Sequence, residues 1–294
     1  MEIRYLKTFR TVAHLLNFNK AAKVLNYAQS TISAQIKLLE QDLGVLLFHR
    51  AGKKITLTEA GSKLIRYAQK MIDMEKETIS VVTNVEKPGG LITIRAPQSI
   101  GTYMIPSIIK KYHSRNPNMG FSVETCAAFS LEPELRSGIV DIAFLLADSI
   151  DAKDFNTECL KIEPLYLVSG INHRLAKKKT IKTKDLNGQT IILPKHDCGY
   201  KMTFEKILAE EKIEYASKME FNSVEAVKQC VIKGIGISVI PEISVKNEIK
   251  NKKIAVLPWA DELLETSVIM IWHSKKWISP ALARFMDYAR KVIV

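Results

Sequence analysis

Apolar positions between residues 18 and 43 recur with helical spacing in two short runs. The first, 18–25, carries Ala21, Ala22 and Leu25, and its small alanines let another helix cross closely; Asn17 or Asn19 is placed to cap its start. In the second, 29–43, Ile32, Ile36, Leu39 and Leu43 fall on one face while Ser30, Ser33, Ala34 and Lys37 fall on the other. Only Asn26, Tyr27 and Ala28 join the two runs. So short a connection forces the steep crossing of a helix-turn-helix, whose second helix lies in a DNA major groove. Gln29 and Ser30 then stand at the N-terminus of that helix, where base contacts are made.

A long helix follows. Thr58 is placed as its N-cap, with Glu59 set favourably against the positive end of the helix dipole. No proline intervenes up to about residue 86, and Leu64, Ile65, Ala68, Met71, Ile72, Ile79, Val82 and Val85 form a near-heptad stripe flanked by Lys70, Asp73, Glu75, Lys76 and Glu77. At 1.5 Å per residue the rod is about 40 Å long. An apolar seam on such a helix calls for a partner helix, the alternative being packing on its own chain. Lys87-Pro88-Gly89-Gly90 ends the rod as a hinge, because proline removes a backbone donor and the glycines free the backbone.

Beyond the hinge, strand-like and helix-like segments alternate. Segments 91–96, 120–125 and 139–146 read as strands around helices at 103–112 and 131–137. A second set has strands at 164–168, 190–193, 218–221 and 237–240 around helices at 200–211 and 224–233, and a strand at 267–272 and a helix at 280–292 close the chain. The alternation implies parallel sheet with helices on its faces, hence two α/β lobes. In such lobes a ligand lies outside the carboxyl ends of the strands, at helix N-termini whose free N–H groups attract anions. That rule selects Gln98, Ser99 and Thr102 after the first strand, with Phe129 and Ser130 as the opposite wall. In the second set it selects Cys198, Gly199, Tyr200 and Lys201, where Gly199 and Tyr200 offer backbone N–H groups and Lys201 offers charge. Helix capping is the alternative role of Ser99, Ser130 and Ser223, and a solvated surface position that of Lys201.

Charge makes the N-terminal part a nucleic-acid binder. Residues 1–72 hold 12 Lys and Arg against 4 Asp and Glu, so they carry +8 of the formal +12. Basicity concentrated on the turn motif is the footprint of phosphate binding. A chain of 294 residues that is 47% hydrophobic supports two or three domains, yet no run approaches the roughly 18 apolar residues of a membrane span. The first residues, MEIRYLKTFR, contain no apolar signal core, so a cytoplasmic location and no membrane partner are expected. Cys126, Cys159, Cys198 and Cys230 show no CxxC spacing, which argues against a zinc ribbon or a disulfide framework. Cys198, beside Lys195, His196 and Lys201, leaves a thiol-based redox sensor open as an alternative. His196, Asp197 and Cys198 are adjacent and do not readily converge on one ion, so no metal site is expected. No GxSxG, HExxH, Walker or GxGxxG pattern falls at a strand-to-helix junction, so neither catalysis nor a cofactor is expected. An enzyme with an appended DNA-binding domain is the alternative from a different class.

The spaced residues Phe18, Ala21-Ala22, Leu25, Gln29-Ser30, Ser33, Ile36, Leu39-Glu40, Leu43-Gly44, Leu47-Phe48, Arg50, Leu57-Thr58 and Ala60-Gly61 resemble the LysR-type transcriptional regulators, without a gap from Met1 to about Ile72. Ala34 stands where many members carry Arg, and Asn17 where many carry Ser. The resemblance implies a chain that is α/β overall. An all-α winged helix-turn-helix spans 1–58 and a linker and dimerisation helix spans 59–87. A two-lobed effector domain like a periplasmic binding protein spans 88–294, with lobe one at 91–161 plus 269–294 and lobe two at 162–268. It also implies a homodimer through the linker helix, assembly to a homotetramer, promoter or operator double-stranded DNA as partner, and a small, anionic effector; RNA polymerase is a further candidate partner. The expected DNA contacts are Asn19, Gln29, Ser30, Thr31, Ser33, Ala34 and Lys37, of which Gln29, Ser33 and Lys37 read bases. Arg50, Lys53 and Lys54 in the wing hold phosphate or reach the minor groove. Ser99 and Thr102 match positions that bind effectors in many members.

Overall fold

The computed structural model describes residues 1–51, 54–83, 90–125, 128–147, 153–195, 198–260 and 264–293. Lys53 lies outside the described residues, as do the side chains of Arg50, Lys54, Phe129, Ser130 and Cys198 and the expected hinge at 87–89.

The N-terminal module consists of α1 (Ile3–Leu15), α2 (Phe18–Leu25), α3 (Gln29–Leu43), a hairpin of β1 (Phe48–Ala51) and β2 (Lys54–Leu57), and the long helix α4 (Glu59–Thr83). The α2 and α3 boundaries are those that the apolar spacing predicts. The sequence reading leaves α1 out, although Leu6, Phe9, Val12 and Ala13 recur at helical spacing and are all buried. Asn17, not Asn19, caps α2, its side chain accepting from the Lys20 N–H at 3.0 Å. Asn26 ends α2 in the left-handed region at φ 54°, which its short polar side chain tolerates.

Ile32, Ile36 and Leu39 are wholly buried against α1 and α2. Leu43, expected on the same face, is 36% exposed, because the last turn of α3 runs past the core. Gln35 takes a buried position there and is satisfied by the Thr8 hydroxyl of α1. The hairpin is pinned to this core by Phe48, whose ring lies 5.5 Å from that of Phe9 and 5.9 Å from that of Phe18. Thr58 is the expected cap: its hydroxyl accepts from the Gly61 N–H at 2.9 Å and donates to the Leu46 carbonyl at 2.7 Å. A Cβ on Gly61 would stand 2.2 Å from the Leu47 carbonyl oxygen, so only glycine lets the first turn of α4 sit on the segment leading into the hairpin.

The apolar stripe of α4 divides. Ala68 and Ile72 are buried against α1 in the module's own core, whereas Met71, Met74, Ile79 and Val82 are exposed. Packing on its own chain therefore accounts for one part of the seam and leaves the other part uncovered.

The remaining chain forms β3 (Gly90–Ala96), α5 (Gln98–Tyr103), α6 (Ile105–His113), β4 (Met119–Thr125), α7 (Ala128–Ser137), β5 (Ile142–Ala147), β6 (Phe155–Gly170), β7 (Thr190–Pro194), α8 (Cys198–Glu210), β8 (Ser217–Phe221), α9 (Val224–Ile232), β9 (Ser238–Pro241), α10 (Glu242–Lys250), β10 (Ile254–Val256), β11 (Glu265–His273) and α11 (Pro280–Val292). The single helix expected at 103–112 is two, α5 and α6, divided at Met104 with Pro106 in the first turn of α6. Strand β6 is far longer than the 164–168 predicted, beginning at Phe155 and so crossing the lobe boundary expected at 161–162. Its polar residues Asn156, Thr157 and Glu158 hide the strand pattern.

One sheet runs β6–β11–β5–β3–β4, with β3 parallel to both β4 and β5 and β11 antiparallel to its neighbours. The later part of β6 pairs instead with β9 and β10, and a bridge between Ile191 and Ile237 brings in the parallel pair β7–β8. Two α/β lobes therefore share β6 as a continuous beam. Its register against β11 shifts between Val268 and Ile269, opposite Cys159 and Lys161, and a bulge of this kind bends the strand.

Gly61→Ala should lower the thermal stability of the N-terminal module by about 1–3 kcal/mol, the usual range for overpacking. Gly101→Ala in α5, where a Cβ meets nothing closer than Val123 Cγ1 at 4.0 Å, should be neutral or stabilising in the same calorimetric comparison. Equal effects at the two positions would contradict the close-approach argument.

Candidate nucleic-acid interface and interlobe cleft

Burial of Ile32, Ile36 and Leu39 turns the opposite face of α3 outward. Gln29, Ser30, Ala34 and Lys37 are exposed and Thr31 and Ser33 half-buried, with Asn19 of α2 also exposed. The Gln29 amide donates to the Ser33 hydroxyl at 2.9 Å, which lays the glutamine along the helix. That bond uses one amide hydrogen and leaves the other, with Oε1, able to meet the N7 and N6 edge of an adenine. No side chain caps the start of α3 and its first turn holds no acidic residue, so its free N–H groups and positive dipole end suit a phosphate.

Between α3 and the hairpin runs an open groove of about 620 Å³ lined by Ser33, Ala34, Lys37, Leu46 and His49 among others. His49 and Leu46 are absent from the sequence reading. Their only signal is proximity to Arg50 in a short hairpin. The short Ala34 side chain keeps the groove open where arginine would fill it. Glu40 sets the groove's width from below, its Oε1 accepting the N–H groups of Leu47 at 2.8 Å and Phe48 at 3.4 Å. Among the described residues Lys20, Lys23 and Lys37 make no ion pair, whereas the acidic groups Asp42, Glu59 and Glu75 are engaged with the N-terminus, Lys63 and Lys7. Arg50 faces Ile55, and Ala51 faces Lys54, across the hairpin. The structure thus brings Gln29, Ser33 and Lys37 onto one face and sets the hairpin beside it.

At the carboxyl end of β3, Gln98 reaches the other lobe. Its Nε2 donates to the Ser223 hydroxyl at 3.3 Å and its Oε1 accepts the Val224 N–H at 2.7 Å, so a side chain of α5 caps α9. Ser223 stands at that N-cap without making a side-chain cap bond of its own. One turn on, Tyr103 donates to Glu225 at 3.3 Å and accepts from Lys228 at 2.9 Å. The Lys228 ammonium, 3% exposed, also meets Glu248 at 2.7 Å and Glu225 at 3.0 Å. Burial alone would lower its pKa, but bonds to Glu248, Tyr103 and Glu225 outweigh burial and hold it well above the usual lysine range.

Other expected pocket residues fare differently. Ser99 is wholly buried and Thr102 exposed. The Tyr200 side chain is only 2% exposed and belongs to the hydrophobic core, because the start of α8 is pressed onto the sheet; the role expected of this residue is that of its backbone N–H. At Gly199 a Cβ would lie 2.3 Å from the Leu146 carbonyl oxygen. Lys201 pairs with Glu220 within its own lobe. The Lys201 bond, ahead of the Lys218 one, depresses the Glu220 carboxyl below the usual glutamate range. Cys198, Phe129 and Ser130 begin or lie in α8 and α7, their side chains outside the description. The described free thiols are the exposed Cys159 and the half-buried Cys230. Among the described residues no cluster of His, Cys, Asp and Glu could hold a metal ion, and no helix is long and apolar enough to cross a membrane.

Residues 3–62 match the family described as "Bacterial regulatory helix-turn-helix protein, lysR family", and residues 86–293 match "LysR substrate binding domain". The HTH-type transcriptional regulator YwqM of Bacillus subtilis (strain 168), itself uncharacterized, is 36% identical over 292 residues, spanning 99% of both chains. CzcR of the same organism is 30% identical over 286 residues, covering 96% of this chain and 94% of that protein. Among solved structures, a cysteine-substituted full-length OxyR from Pseudomonas aeruginosa superposes with a TM-score of 0.75 at 24% identity, covering 100% of this chain and 94% of that one. CbnR complexed with its target DNA gives 0.61 at 22% identity, covering 99% and 100%. These last two likenesses concern the fold. With both halves of its length matched, this chain belongs to the LysR family of DNA-binding transcriptional regulators, with a LysR-type effector-binding domain behind its helix-turn-helix.

Proposed function

We propose that this regulator reads its operator as a dimer of winged helix-turn-helix modules and responds to a small anionic effector held between the two lobes. The single observation that carries the DNA half is the outward polar face of α3, with Gln29 held on Ser33 and a groove opening beside it. Gln29, Ser33 and Lys37 read base edges. Asn19, Ser30 and Thr31 hold the helix in place, Ala34 leaves room, and Arg50, Lys53 and Lys54 engage phosphate or the minor groove. Dimerisation rests on Met71, Met74 and Ile79, which with Ile3 of α1 line a shallow apolar surface on a helix otherwise rich in charge. Association into a tetramer and contact with RNA polymerase extend the same reading.

The effector reading places the ligand at the N-terminal ends of α5 and α8, near Gln98, Ser99, Thr102, Phe129, Ser130, Cys198, Gly199, Tyr200 and Lys201, with the division between lobes near 162 and 268. Gln98 already satisfies the N–H of Val224 across the cleft, and a carboxylate offers the same acceptor chemistry to the α5 and α8 N-termini.

Gln29→Ala should relax the preference at one or two base pairs of the operator, measured by binding-site selection; an unchanged profile removes Gln29 from the readout. Lys53→Ala should instead weaken binding to all sequences alike and reduce the salt slope by about 1. Ile79→Asp should shift the full chain toward monomer in sedimentation, and an unaltered mass excludes the exposed seam as the dimer contact. In a thermal-shift screen against small carboxylates, the compound that stabilises the wild type should lose its effect in Gln98→Ala and Thr102→Val. A retained shift in both places the ligand elsewhere.

A further inference from the structure

Three segments that belong to different parts of the chain meet at Gln69. This α4 residue is 7% exposed, and its position is fixed from three directions. Its Oε1 accepts from Arg10 Nη1 of α1 at 2.9 Å, and its Nε2 donates to Asp73 Oδ1 at 2.8 Å. Its aliphatic stem lies on Gly138, in the turn between α7 and β5: a Cβ built there would come within 2.5 Å of Gln69 Cγ and 3.3 Å of Cδ. Gly138 has φ +73°, so glycine both makes the left-handed turn that ends α7 and clears the space the glutamine fills.

The charges at this junction are arranged around Arg10. Three residues after Gly138, the Asp141 carboxylate accepts from the Thr93 N–H at 2.7 Å and its hydroxyl at 3.1 Å, and pairs with Lys276 at 2.8 Å. Burial pulls the Arg10 guanidinium below the usual arginine range, while Asp73 and Asp141 act in the opposite sense. Asp141 belongs to the effector domain and is engaged there by Thr93 and Lys276. Arg10 sits two residues beyond Thr8, whose hydroxyl bonds Gln35 of α3 inside the core. Gln35 in turn adjoins Ala34 on the outward face.

We propose that Arg10, Gln69 and Gly138 form an intrachain docking surface that locks α1 and α4 to lobe one, so that movement of that lobe reaches the DNA-reading helix α3 by direct packing through α1. These residues position α3; none of them touches DNA or effector. The occupant of the surface on lobe one is the chain's own linker helix. A route of this kind acts in addition to the chain connection at 84–89, and it makes the contact reciprocal: loosening either side must loosen the other.

Hydrogen–deuterium exchange on the full-length protein tests this without an effector. Gln69→Ala and Arg10→Met should each speed exchange at 134–141 in lobe one by about fivefold or more, the lower end of typical coupling, while 190–221 stays unchanged. Gly138→Ala should speed exchange in 6–13 of α1 by a similar factor. Binding to a non-specific duplex should stay within about twofold of wild type for every variant, since no DNA contact is removed. Residues that merely pack α1 on α4 would change exchange only there, and that outcome overturns the proposal. Gly138 occupies a strained backbone position, so Gln69→Ala and Arg10→Met decide the question if Gly138→Ala unfolds lobe one.

Discussion

Complete burial of Ile32, Ile36 and Leu39 is the constraint on which the DNA-binding half depends. Three side chains spaced one turn apart leave a helix no freedom to rotate about its axis, so the face carrying Gln29, Ser33 and Lys37 is held outward before any DNA arrives. The wing is tied to the same element. Glu40, from the flank of α3, accepts two backbone N–H groups at the start of the hairpin, and Phe48 closes over Phe9 and Phe18. Helix and hairpin therefore move as one body. That suits a reader whose base contacts and phosphate contacts must be in register with each other.

The effector domain rests on a different kind of constraint, a strand common to both lobes. β6 pairs with β11 in one lobe and with β9 and β10 in the other, and its bulge near Leu160 sets where it can bend. The polar ties across the cleft lie at α5 and α9. Lys228 keeps both carboxylates, Glu225 and Glu248, within its own lobe, and the other lobe contributes the Tyr103 hydroxyl and the Gln98 amide. Separating the lobes there leaves no buried charge unpaired, which is the costly event that a split ion pair would create.

Much of this is legible in the sequence because short-range rules act in it. The boundaries of α2 and α3, the Thr58 cap and the closing helix α11 all follow from spacing and capping chemistry that involve only near neighbours. What stays hidden depends on partners far along the chain. β6 reads as a loop over Asn156, Thr157 and Glu158, because its first part is a strand only by virtue of β11, more than 100 residues later. Burial of the Tyr200 side chain by the sheet beneath α8, and the pairing of Lys201 with Glu220, likewise depend on residues distant in the chain. The position of Gln98 after β3 marks it as a cleft residue, but its role as a cap for α9 needs Val224, 126 residues on. The seam of α4 shows the same limit, since the heptad pattern does not distinguish Ala68 and Ile72, which α1 covers, from Met74 and Ile79, which it does not.

Magnitudes connect the two halves. A neutral hydrogen bond contributes about 0.5–1.5 kcal/mol net and one to a charged group about 1.5–3, so the two Gln98 bonds and the two Tyr103 bonds together hold the lobes by about 4–9 kcal/mol. A small ligand shifts such an equilibrium only by the difference in its affinity for the two arrangements, and about 5.5 kcal/mol carries a population from 1:99 to 99:1. The cleft ties are of the same order as that figure, within reach of an effector bound as proposed. The N-terminal module has no comparable freedom, because its helix, wing and linker share one core. Conformational work done in the cleft is therefore expressed as displacement of that module as a whole, and any device that tells DNA about the effector must act where the module meets lobe one.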